Sequence, residues 1–323
     1  MAGHWGAAML GAGLALVAAG AALSASPGAG PRDWAFPGAG PSAPPPSPNR
    51  IRRLPTSTRS FTQAQIGDRF HAVDWWPAAH AAPPRIVVEG RAPHLMACGY
   101  CHLPAGEGRP ENAALAGLPA DYIARQVADF RSGARGLASP GWGPGAFMHE
   151  VAAAASPGEV AAAAAYFSRA PFVSHVKVVE AARIPAVEAE GFVYRRLQGY
   201  ARTILGERIV EGPVDFDRFE LRDSRMGYVA YVPPGSIGRG RRLAATGGAG
   251  RTQPCGACHG AVLAGGAGPP LAGRSPTYLY RQLSAFHSGS RAGPTSAPMK
   301  TVAARLSVAD MIDLAAYAAS MRP

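Results

Sequence analysis

The stretch CGYCH at residues 98–102 places two cysteines three positions apart and follows the second directly with a histidine. The same pattern returns as CGACH at residues 255–259. Together the two stretches contain all 4 cysteines of the 323-residue chain, so no thiol is left for a disulfide framework. A chain of this length is longer than one ordinary domain, and the repeated motif indicates two equivalent units.

This pattern is typical of covalent haem attachment. The two thiols add to the vinyl groups of the porphyrin, and the adjacent imidazole reaches the iron. A structural zinc site would need more Cys or His at short spacing, whereas the two cysteine pairs lie 157 positions apart. A redox dithiol would need a βαβ setting, of which the sequence gives no sign. We therefore predict two covalently attached c-type haems. Their attachment residues are Cys98, Cys101 and His102, and Cys255, Cys258 and His259.

The duplication extends beyond the cysteines. GLPADYIARQVADFRSGAR begins at Gly117 and GRSPTYLYRQLSAFHSGSR begins at Gly273, with identical residues recurring at a constant offset of 156. Within each copy, large side chains fall on one face of a helix, which predicts packing against a core that includes a cofactor edge. These side chains are Tyr122, Ile123, Gln126, Val127 and Phe130, and Tyr278, Leu279, Gln282, Leu283 and Phe286.

Each copy then contains a Met in a Gly/Pro/Ser-rich region and closes with a helical pattern. Met148 and Met299 both lie eight residues before a Ser. A Ser followed three residues later by an acidic residue predicts a capping box at the start of a helix. The two predicted boxes are Ser156 with Glu159 and Ser307 with Asp310.

The remaining segments complete the predicted organisation. Residues 1–26 are mostly apolar, which predicts a cleaved signal peptide or an N-terminal membrane anchor, and residues 27–60 are predicted to be a Pro/Gly-rich spacer. Residues 61–171 and 235–323 are predicted to be the two haem domains. Between them, residues 172–234 form a connector of unknown role, in which HVKVVE, RFELRD and GYVAYV predict short strands.

The two CxxCH motifs, the helix that follows each, and the segment from Met to the final helix resemble tandem dihaem c-type cytochromes, especially those like cytochrome c4. The resemblance covers residues 86–171 and 236–323. It implies a mainly α fold, with two class I cytochrome c domains in tandem joined by a long connector with some short strands. It also implies low-spin haems that pass single electrons in the periplasm.

The resemblance further implies the iron ligands. His102 and Met148 would bind the first iron, and His259 and Met299 the second. A thioether is a soft, weakly basic ligand that favours ferrous iron, so a His/Met pair raises the reduction potential. His149, next to Met148, is the alternative ligand in the first unit.

Family members also orient the haem histidine with a proline carbonyl, a role that falls here to Pro269 and Pro270. The corresponding stretch of the first unit, GRPENAALAG, is longer, and the role of Pro110 stays open. Candidate donors to haem propionates, with solvent-facing charge or loop packing as the alternative, are Arg135, Arg291 and Trp142.

The formal net charge of +11 predicts attraction to acidic docking surfaces. The arginines are scattered along the sequence, and no nucleic-acid-binding module occurs, which argues against nucleic acid as a partner. We predict an electron carrier without catalytic residues, which serves a dehydrogenase or terminal oxidase and is soluble or tethered to the inner membrane. The alternatives are a dihaem enzyme such as a peroxidase with one open iron, or a fixed cytochrome subunit of a membrane dehydrogenase or oxidase complex.

Overall fold

The computed structural model describes residue 1 and residues 33–40, 46–136, 139 and 141–323. Apart from Met1, the predicted signal or anchor over residues 1–26 lies outside the described residues, as does part of the predicted spacer. Within the described ranges, no helix has the length and apolar character needed to cross a membrane.

Helices are the main regular secondary structure on either side of the connector. The helices of the first unit are α1 (Gln63–Gly67), α2 (Arg85–Val88), α3 (Cys98–His102), α4 (Ala120–Ser132), α5 (Gly143–Ala154) and α6 (Pro157–Arg169). Those that follow are α7 (Phe216–Glu220), α8 (Ser236–Gly250), α9 (Gly256–His259), α10 (Pro276–Ser288), α11 (Ala297–Ala303) and α12 (Val308–Ser320). Short 3-10 helices occur at Asp33–Ala35, Pro77–Ala79 and Pro294–Ser296.

The helix boundaries follow the duplicated sequence. Both predicted capping boxes are confirmed, since Ser156 and Ser307 each accept a bond from the backbone of the acidic residue three positions on. Helices α4 and α10 have the same bounds after a shift of 156 positions. Each ends at a glycine in the left-handed region, Gly133 and Gly289, both with φ of 77°. Only glycine adopts this conformation without strain, so the two copies stop at the same point.

Strands form small sheets, most of them in the connector. They are β1 (Ile51–Arg53), β2 (Ser60–Thr62), β3 (Val176–Glu180), β4 (Arg183–Ile184), β5 (Val187–Glu190), β6 (Val193–Arg196), β7 (Thr203–Ile204), β8 (Val210–Pro213) and β9 (Tyr228–Val232). The order β3-β9-β8 makes a three-stranded sheet in which β3 and β9 are parallel and β8 is antiparallel to β9. Antiparallel pairs form between β1 and β2, β4 and β7, and β5 and β6.

One predicted strand is wrong. The stretch RFELRD, residues 218–223, contributes to helix α7 and the turn after it rather than to a strand. The Asp215 side chain caps this helix by accepting a bond from the backbone N–H of Arg218. Phe219 is buried among other connector side chains, and the Arg109 guanidinium of the first unit lies 3.7 Å from its ring centroid. A local cap and a long-range contact therefore override the strand propensity of the stretch.

The connector is packed against both units. Trp75 of the first unit donates its indole N–H to the Leu221 carbonyl at 2.7 Å, and the Trp76 indole N–H reaches Asp223 at 2.8 Å. On the other side, Ala230 of β9 belongs to the core of the second unit. Trp34, in the predicted spacer, is buried in the same core, so this part of the chain is packed rather than extended.

Candidate haem-binding sites

The first motif forms helix α3, which ends at a buried His102. The Nδ1 atom of this imidazole lies 2.8 Å from the Ala113 carbonyl oxygen. A carbonyl only accepts, so Nδ1 carries the proton and Nε2 keeps its lone pair. A neutral ring held in this tautomer is what an iron-binding imidazole requires.

The second motif repeats the arrangement. His259 is buried, and its Nδ1 lies 2.7 Å from the Pro269 carbonyl oxygen. In the first unit the carbonyl of Pro110 instead accepts a bond from Arg281, and Ala113 takes the equivalent position opposite the imidazole. The longer loop of the first unit accounts for this difference, because the carbonyl that reaches the ring lies one residue farther along the chain.

A largely apolar cavity of about 180 Å³ adjoins the first motif. Cys98, Cys101, His102 and Met148 all line it, so the predicted attachment residues and the predicted Met ligand share one space. His149 does not belong to the described lining; its ring packs edge-on against Phe130, with the two centroids 5.2 Å apart. The helix face predicted to meet a cofactor also lines the cavity, through Tyr122, Ile123, Gln126, Val127 and Phe130.

The chemistry of this cavity fits a covalent haem. Burial raises the pKa of the Cys98 thiol to about 12, whereas a redox dithiol needs a lowered pKa to supply a thiolate. Two thiols and a neutral imidazole on an apolar surface are the groups that thioether attachment and axial ligation use. In the part of the chain that the structure describes, no group of three or more His, Cys, Asp or Glu side chains could hold a metal ion.

The second site is more open at its cysteines. Cys255 is half-buried and Cys258 is exposed, while Met299 is half-buried in helix α11. Gly268 lies against the histidine: a Cβ atom there would come within 2.7 Å of the His259 Cε1 atom. Only a glycine allows the backbone to approach the ring this closely, which keeps the imidazole within hydrogen-bond distance of the Pro269 carbonyl.

Helix α10 of the second unit closes the cavity of the first. Tyr278, Arg281, Gln282 and Ala285 all line the cavity that holds Cys98. The predicted face of helix α10 is therefore shared between two environments. Tyr278 and Gln282 line the cavity of the first unit, whereas Leu279 packs into the core of the second unit. Sequence reasoning missed this sharing, since the repeat pattern treats each unit as self-contained.

A symmetric pair of arginines joins the two units. Arg135 donates to the side-chain oxygens of Gln126 at 3.0 Å and Gln282 at 2.7 Å. Arg291, its equivalent, donates to Gln282 at 3.0 Å and Gln126 at 2.6 Å. The backbones also pair here, with Gly136 N–H bonded to the carbonyl of Ser290 at 2.6 Å. The contacts between the two haem units are thus related by a local two-fold pseudosymmetry.

This interface carries positive charge with neutral partners. Burial, reinforced by the charge of Arg291, lowers the pKa of Arg135. The Nε atom of Arg291 is buried without a hydrogen-bond partner. A carboxylate would satisfy such a group, so the arginine pair fits the expected contact with haem propionates. Trp142 does not fit the role of a propionate donor, because its indole N–H is bonded to the Pro37 carbonyl at 3.1 Å.

Two further arginines of the second unit hold the loop that positions His102. Arg274 donates to the carbonyls of Ala114 at 2.7 Å and Ala116 at 3.0 Å. Arg281 donates to the carbonyls of Pro110 and of Ala35, the latter at 3.0 Å. These contacts lie on both sides of Ala113, whose carbonyl orients the histidine. The geometry of the first site therefore depends on the second unit, which no local sequence signal indicates.

Glu107, near the first site, makes stability depend on pH. Burial raises the pKa of its carboxyl, and its Oε2 atom has no hydrogen-bond partner. With a folded pKa above the unfolded one, its stabilising contribution is present below the unfolded pKa and is lost as pH rises through the folded pKa. We expect Glu107→Gln to raise the free energy of unfolding by about 1 kcal/mol at pH 7 and to have little effect at pH 4.

Urea unfolding at the two pH values measures this difference. Glu159→Gln is the control of opposite sign, because bonds from Ser156 lower the pKa of Glu159. That stabilisation is present above the unfolded pKa and is lost as pH falls through the folded pKa. An equal effect of Glu107→Gln at both pH values would contradict the prediction.

The cytochrome c family profile matches residues 239–322, which contain the second motif. A thiosulfate dehydrogenase electron acceptor from Stutzerimonas stutzeri is 30% identical over 246 residues, covering 73% of this chain and 85% of that protein. A protein of the same description from Thiomonas intermedia is 28% identical over 276 residues, covering 84% of this chain and 94% of the relative.

Cytochrome c4 from Azotobacter vinelandii is 31% identical over 140 residues, covering 40% of this chain and 65% of the relative. A solved thiosulfate dehydrogenase from Marichromatium purpuratum is 28% identical with a TM-score of 0.43, covering 71% of this chain and 37% of that one. Since the electron acceptor from Stutzerimonas stutzeri is matched over 85% of its length at 30% identity, the chain belongs to the cytochrome c family as a dihaem, cytochrome c4-like electron carrier with covalently bound c-type haem.

Proposed function

We propose that this chain relays single electrons in the periplasm between a dehydrogenase and a second redox protein. The observation that carries the proposal is the repeated site: two CxxCH motifs, each with its His Nδ1 bonded to a carbonyl, in units that meet across the Arg135–Arg291 pair. Two equivalent sites in units that contact each other are suited to passing an electron from one to the other.

The proposal includes Met148 and Met299 as the sixth ligands. Met148 is favoured by its place in the cavity with His102, and Met299 by its equivalent position in the duplicated sequence. When bound, each haem supplies a one-electron couple, and a His/Met ligand pair gives that couple a raised potential. The chain holds both imidazoles in the iron-binding tautomer, excludes water with an apolar wall, and provides arginine counter-charges.

The partner is proposed by chemical class. Two relatives are described as electron acceptors of thiosulfate dehydrogenase, which supports a dehydrogenase of reduced sulfur compounds as the donor. The net charge of +11 suits an acidic docking surface and a salt-sensitive encounter. The organisation we propose keeps haem domains at residues 61–171 and 235–323, a packed connector at 172–234, and an export signal or inner-membrane tether at 1–26.

An optical redox titration of the haem-loaded protein tests this function. We expect two low-spin haems per chain, a charge-transfer band from Met to ferric iron, and no reaction with carbon monoxide or peroxide. Full reduction by a thiosulfate dehydrogenase with thiosulfate, slowed by added salt, is the expected result for the partner. A high-spin fraction that binds carbon monoxide or consumes peroxide would contradict the relay and favour the dihaem enzyme.

A further inference from the structure

The connector lies directly on the first haem-attachment motif. The turn after helix α7 brings Arg222 to Tyr100, the residue directly before Cys101 in the first motif. The Arg222 guanidinium carbon lies 3.5 Å from the centroid of the Tyr100 ring. The same guanidinium donates to the carbonyl oxygens of Tyr100 at 2.8 Å and of Ile66 at 3.3 Å. A residue distant in sequence thus holds a cation against the motif.

The position of Arg222 is specified by the backbone and by its neighbours. Its φ of 57° is in the left-handed region, which a non-glycine residue adopts at a cost. The bond from Trp75 to the Leu221 carbonyl and the bond from Trp76 to Asp223 fix the turn on both sides of it. Packing therefore retains a strained conformation that directs the side chain onto Tyr100.

The charge of Arg222 is not cancelled by an ion pair in the described part of the chain. Its hydrogen bonds go to carbonyl groups, and the adjacent Asp223 carboxylate is bound by Arg218 and Trp76. Nearby Arg109 is paired with Glu111 at 3.0 Å, so that pair adds no net charge. Burial lowers the pKa of Arg222, but a guanidinium stays protonated at neutral pH.

The second motif lacks this contact. Ala257 stands where the first motif has Tyr100, and both Ala257 and Cys258 are exposed. Its two residues between the cysteines, Gly256 and Ala257, have no ring on which an arginine could stack. The connector thus makes two otherwise equivalent sites electrostatically different.

We propose that Arg222 is a built-in positive charge that raises the reduction potential of the first haem above that of the second. Reduction removes one positive charge from the iron, so a nearby partly buried cation stabilises the reduced state. This inference rests on the proposed electron-relay function and adds a direction to it: electrons pass from the second haem to the first. The connector, which has no other chemistry assigned to it, acquires a role.

Three variants of the full-length, haem-loaded protein test the role of the charge. Arg222→Gln and Arg222→Gly remove it, and glycine also suits the left-handed backbone, so the turn keeps its path. Arg222→Lys keeps the charge. In a potentiometric titration followed optically, we expect both charge-removing variants to lower the equilibrium constant of the higher-potential step about tenfold, equivalent to 59 mV for a one-electron couple. We expect the potential of the lower-potential step to be unchanged in these variants. We expect Arg222→Lys to keep both wild-type potentials.

Arg225→Gln is the matched control. Arg225 is exposed and lies 3.9 Å from the ring centroid of Trp76, so its loss changes the net charge equally but leaves Tyr100 untouched. The inference would be overturned if both charge-removing variants kept the wild-type potentials, or if the potentials of both haems shifted equally. It would also be overturned if Arg222→Lys lowered the higher potential as much as Arg222→Gln. A wild type without two reversible low-spin haems would contradict the proposed function itself, which keeps the two failures distinct.

Discussion

Replacing Met148 with Ala is expected to convert one of the two haems into a centre that binds carbon monoxide. The side chain lies in the cavity shared by Cys98, Cys101 and His102, and the substitution removes the thioether that we propose would bind the first iron. We expect a high-spin signal, a binding stoichiometry of about one carbon monoxide per chain, and a lower potential for that haem. Carbon monoxide titration and redox spectroscopy measure these changes.

His149→Ala is the control for this substitution. His149 follows Met148 directly, and its buried Nε2 atom has no hydrogen-bond partner, so it is the competing ligand. Its ring packs on Phe130 outside the described cavity lining, and we expect the His149 variant to stay low-spin. If the Met148 variant stayed low-spin and bound no carbon monoxide while the His149 variant bound it, His149 rather than Met148 would be the sixth ligand.

Replacing Arg281 with Met is expected to lower the free energy of unfolding by about 3 kcal/mol. Arg281 is buried, and burial lowers its pKa to about 10. The substitution keeps the apolar stem but leaves the carbonyls of Ala35 and Pro110 without their donor. It also removes one of the cations that favour the ionised form of Glu111, after Arg109, and a cation that favours the ionised form of Glu211. Chemical denaturation measures the loss.

Arg125→Met provides a control at the equivalent position of the first unit, 156 residues earlier. Arg125 is exposed and pairs with Asp121 one helical turn away, and solvent weakens such a surface ion pair. We expect Arg125→Met to lower the free energy of unfolding only slightly, and Arg281→Met to lower it several times more. Because Arg281 also holds the loop of Ala113, its variant should broaden the spectrum of the first haem. Equal destabilisation by the two variants would contradict the interface described above.

The sequence by itself determined the features that depend on short-range spacing. Two CxxCH motifs specify haem attachment because both thiols and the imidazole must lie within one turn of chain. Ser156 and Ser307 open helices because capping acts over three residues. The duplication at an offset of 156 also predicted that helices α4 and α10 would match.

Only the tertiary structure decided the features that join distant parts of the chain. The first three residues of RFELRD, 218–220, belong to helix α7, where Phe219 is buried beside Arg109. The carbonyl of Ala113, rather than that of Pro110, lies opposite the imidazole of His102. Helix α10 closes the cavity of the first unit, and the connector brings Arg222 to Tyr100. Side-chain periodicity indicates which face of a helix is apolar, but the partner of that face is selected by packing between segments far apart in sequence.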